Sequence, residues 1–145
     1  MSLKQDRDTP MRDTQLLVVP VAGNVLIHAG AMVAANTSGT AIPGTSAPDL
    51  LYLGRAETLA DNRGGNSGDV NVEVRRNKAF QWGNDGSINA SHLFHLAYII
   101  DDQTVGTGDI AQTHSLAGRI VGVEARGVWI EATDFRQEKT TDAGE

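Results

Sequence analysis

Residues 117–132, AGRIVGVEARGVWIEA, decide the reading of the fold. Two apolar runs flank the dipeptide Arg126-Gly127. In the first, Val121, Val123 and Ala125 alternate with Ile120, Gly122 and Glu124; in the second, Val128, Ile130 and Ala132 alternate with Trp129 and Glu131. A period of two is that of a strand, because successive side chains leave opposite faces of a pleated backbone. A glycine that closes a short loop between two such runs marks a hairpin with one residue at positive φ. The chain is therefore expected to be a small β-domain whose last hairpin completes the sheet.

Working back from this hairpin, the same signal recurs. Residues 70–75, VNVEVR, place Val70, Val72 and Val74 on one face and Asn71, Glu73 and Arg75 on the other. Residues 78–82 follow as another short strand after a turn at Arg76-Asn77, and residues 97–100 as a further one. The run 15–21, QLLVVPV, is β-branched, and Pro20 marks an edge or an end of it because proline offers no N–H to a second neighbour. Residues 25–28 form a short strand, and 32–35 and 40–42 flank the turn signal Asn36-Thr37-Ser38-Gly39. Residues 50–59 read as a strand, since Gly54 costs a helix about 1 kcal/mol relative to alanine. Asn89-Ala90-Ser91 caps a short helical turn reaching Leu96. Residues 61–69, DNRGGNSGD, are expected to be an exposed, mobile loop, and 101–116 a long polar loop. The sum is roughly eight to ten short strands at intervals of about 8–12 residues, with at most one short helix. That spacing predicts an all-β single domain, a sandwich or a barrel, rather than a parallel α/β sheet.

Three segments follow: an extended N-terminal arm over residues 1–14, a β-rich body over 15–132 and a flexible tail over 133–145. The arm, MSLKQDRDTPMRDT, carries both signs of charge, no apolar period and a proline, so it has nothing with which to fold alone.

Composition sets the bounds. The 145 residues include no cysteine, 16 glycines and only 5% aromatics, which predicts a core of Val, Ile, Leu and Ala with many turns. Without cysteine there is neither a disulfide framework nor a thiolate metal site. The net charge of -6 argues against nucleic acid or an anionic membrane as partner. No apolar run approaches the roughly 20 residues of a membrane span, and the polar start has no apolar signal region; a soluble protein made in a cytoplasm is expected.

Candidate chemistry is sparse. His92 and His95 sit three apart, but no third ligand stands at a fixed spacing, so a cap with one packed and one exposed histidine is the simpler reading. Asp101, Asp102 and Asp109, and likewise Asp61, Asn62, Asn66 and Asp69, lack the alternating positions of a calcium loop. Ser91, His114 and Asp101 can be drawn together only on paper. The cluster Arg75, Arg76 and Lys78 reads as a solvated edge balanced by Glu73, or as a contact to an acidic protein surface. No nucleophile elbow, phosphate loop or dinucleotide fingerprint is present. No catalytic residue, metal or cofactor is expected.

Five stretches in succession carry a resemblance: QDRDTP at 5–10, LYLGRA at 51–56, VRRNKAF at 74–80, AYIIDDQTV at 97–105 and AGRIVGVE at 117–124. Their order and spacing resemble the capsid decoration, or cement, proteins of tailed bacteriophages, in particular the small head proteins of Mu-like phages and prophages. The resemblance implies a tulip-like β body that binds the outside of the assembled capsid as a homotrimer, with the major capsid protein as partner and no catalysis. It implies that the arm makes the contact, and the capsid-binding residues expected there are Asp6, Arg7, Asp8, Thr9, Pro10 and Arg12. It places the protein on the virion exterior after synthesis in the host cytoplasm. The alternatives are a non-viral β-domain that binds protein or carbohydrate, for which Trp82, Trp129, Tyr52 and Tyr98 are the available aromatic platforms, and a small hydrolase, for which no motif speaks.

Overall fold

A computed structural model describes residues 1–12, 14–108 and 113–132. The described chain is nearly all strand, twelve in number, with a single 3-10 turn at Ala90–His92. The strands form two larger sheets and a small ribbon, so the body is the all-β domain expected, with a closed five-stranded barrel packed against a curled open sheet.

The open sheet contains β1 (Leu16–Pro20), β3 (Met32–Ala35), β4 (Ala41–Pro43), β5 (Leu51–Ala56) and β7 (Asn71–Arg75), all antiparallel, in the order β1-β7-β5-β3-β4. Pro20 lies on the edge strand, where its missing N–H leaves no ladder bond unmade. The alternation of β7 is realised as read: Val72 and Val74 are buried, while Asn71 and Glu73 are exposed. The sheet curls until its two edges meet, where Ala22 N–H donates to Ala41 C=O at 3.0 Å. Inside the curl lie Val21, Ile27, Val33, Ala41, Ala56, Val72 and Val74. The ribbon of β2 (Leu26–Ile27) and β6 (Ala60–Asp61) adds Ile27 and Ala60 to this core.

The barrel consists of β8 (Ala79–Asn84), β9 (Leu96–Ile99), β10 (Thr104–Gly106), β11 (Leu116–Glu124) and β12 (Gly127–Glu131), in the order β10-β8-β12-β11-β9, closed on itself. Every pair is antiparallel except β10 with β8. Its interior is filled by Phe80, Trp82, Ala97, Ile99, Val105, Ala117, Ile120, Val128 and Ile130. The hairpin that organises the sequence reading is β11–β12, paired from Arg119↔Glu131 to Glu124↔Gly127, so the turn is Ala125-Arg126. Two register shifts, at Leu116/Gly118 and at Ile120/Gly122, bend β11, which is how so few strands close.

Gly127 sits at φ 157°, and a Cβ there would run into the carbonyl oxygen of Trp82 on β8. The position thus needs glycine for close strand approach as well as for its dihedral. Gly127→Ala is expected to destabilise the protein by about 2 kcal/mol or more, read as a lower denaturant midpoint at unchanged slope.

Sheet and barrel share a core through β3, which is buried on both faces: Val33 faces the curl while Met32 and Ala34 join the barrel cluster. Tyr52 of β5 reaches the same cluster, and its hydroxyl accepts a hydrogen bond from Trp82 Nε1 at 3.1 Å. Met32 N–H donates to Asp102 C=O at 2.8 Å, and buried Ser115 accepts from Leu50 N–H at 2.8 Å while donating to Ala47 C=O at 2.7 Å.

Burial pushes the Tyr52 phenol up to about 12 from its ordinary value of 10.0, against the smaller, lowering effect of the Trp82 bond. The unfolded chain loses this proton near pH 10 and the folded chain only near 12, so the folded state binds more protons between the two. Stability contributed by the neutral phenol is therefore complete below about pH 10 and is lost as pH rises toward 12, a total of roughly 2–3 kcal/mol. Denaturant unfolding at pH 9 and pH 12 is expected to show this loss, and Tyr52→Phe to flatten it.

The structure corrects the sequence reading in four places. The supposed loop after residue 100 contains β10, whose Val105 is buried in the barrel. The 61–69 loop is exposed at most positions but is pinned by Asn62, which is 3% exposed. The helical turn stops at His92 rather than reaching Leu96, and Phe94 follows at φ 71°. Arg75 pairs with Glu57 rather than Glu73, at 2.7 Å. Asp13, Asp109 and the tail 133–145 lie outside the described residues.

Candidate interaction surface

The arm residues expected to touch a partner are Asp6, Arg7, Asp8, Thr9, Pro10 and Arg12, and all six are exposed along a segment without strand or helix. The sequence explains this: Pro10 fixes its own φ and disfavours helix at Thr9, and the alternating charges supply no apolar face to bury. One local bond orders part of it, with Arg7 Nη1 donating to Thr9 Oγ1 at 3.0 Å. Leu3, Lys4, Gln5, Asp6, Arg7 and Thr9 line an open hollow of about 630 Å³. The arm also exposes the apolar side chains of Met1, Leu3 and Met11. It leads directly into β1, where Gln15 C=O accepts from Arg76 N–H at 2.7 Å and the body begins.

Charge on the body is paired locally. Glu57 accepts from Arg75 Nε at 2.7 Å and Arg55 Nη2 at 3.0 Å, and these two guanidinium groups, Arg75 foremost, hold its carboxyl below the usual carboxylate range. Arg55 also stacks over the Phe80 ring, 4.8 Å from its centroid. Arg75 of the basic cluster is therefore spent on an ion pair within the open sheet, and it is Arg55 that reaches from that sheet to the barrel. Asp61 is pulled down to about 2, first by the Arg63 side chain, which binds it at 2.8 and 2.9 Å.

The histidine pair reads as a cap. Asn89 Oδ1 accepts from Ser91 N–H at 2.9 Å, and His92 Nδ1 accepts from Asn89 N–H at 3.0 Å, so the His92 ring completes a capping box. His92 is half-buried, His95 is exposed, and their ring centroids are 6.3 Å apart. Among the described residues no group of three or more His, Cys, Asp or Glu is placed to hold a metal ion. Ser91 Oγ donates to Asn89 Oδ1, His114 Nδ1 lies 3.1 Å from Thr113 Oγ1, and Asp101 Oδ1 accepts from Gln103 N–H. None of these bonds joins one member of the paper triad to another.

Two of the four aromatics available for a sugar platform are consumed by the core: Trp82 and Tyr52 are buried and bonded to one another. Tyr98 and Trp129 are half-buried. The sequence reading missed the exposed pair Leu93 and Phe94, which follows the cap. Phe94 N–H donates to Ile120 C=O at 2.8 Å, and its C=O accepts from Arg119 Nη1 at 2.7 Å, so the left-handed residue is held in place with its ring outward. No sequence period announces it, because these bonds come from β11. Among the described residues no helix is long and apolar enough to cross a membrane.

Comparison of the chain with protein-family models, with curated proteins and with solved structures finds no match in any of the three.

Proposed function

We propose that the protein is a structural, non-catalytic component of a tailed-phage particle that binds the outer surface of the assembled capsid as a homotrimer and stabilises the shell. The observation that carries this reading is the arm: an exposed, charged segment with exposed apolar side chains, which precedes an edge strand of the β body. The ordered succession of motifs that resembles phage decoration proteins supplies the identity of the surface, the major capsid protein.

The physical logic is that of a clamp. An arm that orders only on its target loses conformational entropy there, so its binding reports whether the target geometry is present. A capsid repeats one binding surface many times, and an oligomer that engages several copies gains avidity from contacts that are weak singly. The net charge of -6 keeps the unbound protein soluble. Purified protein mixed with mature phage shells is expected to co-sediment with them at a saturating stoichiometry, and electron cryomicroscopy to show added density at local threefold positions outside the shell. Protein that remains in the supernatant at saturating shell concentration would remove the reading.

A further inference from the structure

Among the described residues β1 is paired as a strand on one side only, with β7. The parity of that ladder is set at its ends: Arg76 N–H donates to Gln15 C=O at 2.7 Å, and Val21 N–H donates to Val70 C=O at 3.0 Å. Residues 15, 17, 19 and 21 therefore turn their backbone groups toward β7, and Leu16, Val18 and Pro20 turn theirs away. Beyond Pro20 this outer edge is covered, since Ala22 N–H, of the same parity, donates to Ala41 C=O. Among the described residues, what stays open is a short edge with two donors, the N–H groups of Leu16 and Val18, and two acceptors, the carbonyls of the same residues; the bridge that pairs Val21 with Ala41 takes the Pro20 carbonyl. The side chains of Leu16 and Val18 are also exposed, at 40% and 62%. Natural edges are usually blunted by charge or proline; here Pro20 blunts one end, and no outward residue of β1 is charged.

We infer that this edge is self-complementary and that its occupant is a second copy of the chain, paired antiparallel about a two-fold axis. Leu16 of each copy lies opposite Val18 of the other and exchanges both N–H···O bonds with it, so every open donor of β1 is used. The Leu16 and Val18 side chains of the two copies then form one apolar row on a single face. The two Leu17 residues meet at the axis as a non-hydrogen-bonded pair, the closer of the two antiparallel pair types. Sliding the register by one pair toward Pro20 sets it opposite Leu16 and forfeits a donor, which favours the Leu16–Val18 pairing. The arm is the poorer occupant, because in the same place it would lay Asp6, Arg7, Asp8 or Arg12 beside Leu16 and Val18. So short an edge makes a weak contact of small area, one that matters where copies are concentrated. It is distinct from threefold closure, and it does not depend on the capsid reading.

The test uses the full chain without shells. Sedimentation equilibrium from about 10 μM to about 1 mM should show the mass found in dilute solution doubling with concentration. Val18→Pro deletes only an outward N–H, as Pro20 does natively, and should abolish the doubling with the circular dichroism spectrum unchanged; Val18→Lys should do the same should the proline variant not fold. Because the chain has no cysteine, Leu17→Cys reports the register alone: it should give a disulfide-linked dimer under mild oxidation, whereas Leu59→Cys, exposed elsewhere on the body, should not. A mass that stays constant with concentration, doubling that survives both Val18 variants, or cross-linking no greater at Leu17→Cys than at Leu59→Cys would each overturn the inference. Failure of shell binding alone would leave it standing.

Discussion

Deletion of residues 2–14 is expected to leave the thermal midpoint of the body unchanged and to weaken shell binding by two orders of magnitude or more, about 3 kcal/mol per site. The first half follows from burial: every described arm residue is exposed, and among the described residues the first backbone bond to the body is made by Gln15, outside the deletion. The second half follows from how an extended segment binds. It can add to a sheet edge of its partner through main-chain bonds, and its guanidinium groups can clamp carboxylates bidentately. Arg7 and Arg12 are the side chains on which this rests. Arg7 gives up only an exposed bond to Thr9 when it changes partner, a cost close to nothing. Arg7→Ala and Arg12→Ala should each reproduce part of the loss seen on deletion, whereas Lys4→Ala, which removes a point charge nearer the chain start, should matter less. Binding is measured by co-sedimentation across a dilution series. Unchanged affinity of the truncated protein would move the contact onto the β body, with Leu93 and Phe94 the first residues to examine there.

Replacing Asn62 by alanine is expected to cost about 2–4 kcal/mol, a large share of the stability of a domain this size, and to lower the thermal midpoint by about 10 °C. Its Nδ2 donates to Val21 C=O at 3.3 Å, Ala22 C=O at 2.9 Å and Asn66 C=O at 2.9 Å, while its own backbone N–H bonds Val25 C=O at 2.8 Å. One buried amide thus ties the loop after β6 to the point where the curled sheet closes on itself. Alanine removes the donor of Ala22 C=O, takes one of two donors from Val21 and Asn66 C=O, which keep the N–H groups of Gly68 and Asp69, and adds a small void. Asn62→Asp separates the two effects. It keeps the shape but turns a donor into a negative charge against three carbonyls, so it should be less stable than the alanine variant at pH 7. It should regain stability as pH falls toward the unfolded carboxyl value of about 3.9, because only the protonated form can donate. Equilibrium unfolding at several pH values measures both. Equal stability of wild type and Asn62→Ala would show that the loop carries no such load.

What was legible in the sequence was local in origin. The hairpin of β11 and β12, the alternation of β7, the edge character of the strand ending at Pro20, and the cap at Asn89 each need only neighbours within a few residues, and propensity and period report such contacts directly. The exposed arm belongs here as well, since a segment with no apolar period has nothing to bury wherever the chain folds. Tertiary structure alone decided the rest. β10 has only three residues and one fully buried apolar side chain, Val105; it is a strand because β8 and β9 stand on either side of it to close the barrel. Asn62 is polar and lies among glycines, which reads as solvent, yet the carbonyls of residues 21 and 22, some 40 positions away, make a dry site for its amide. Trp82 and Tyr52 could have been a surface platform until sheet and barrel met over them. In each case the determining partner is distant in sequence, so the free energy that fixes the residue exists only once the chain has closed the loop between them.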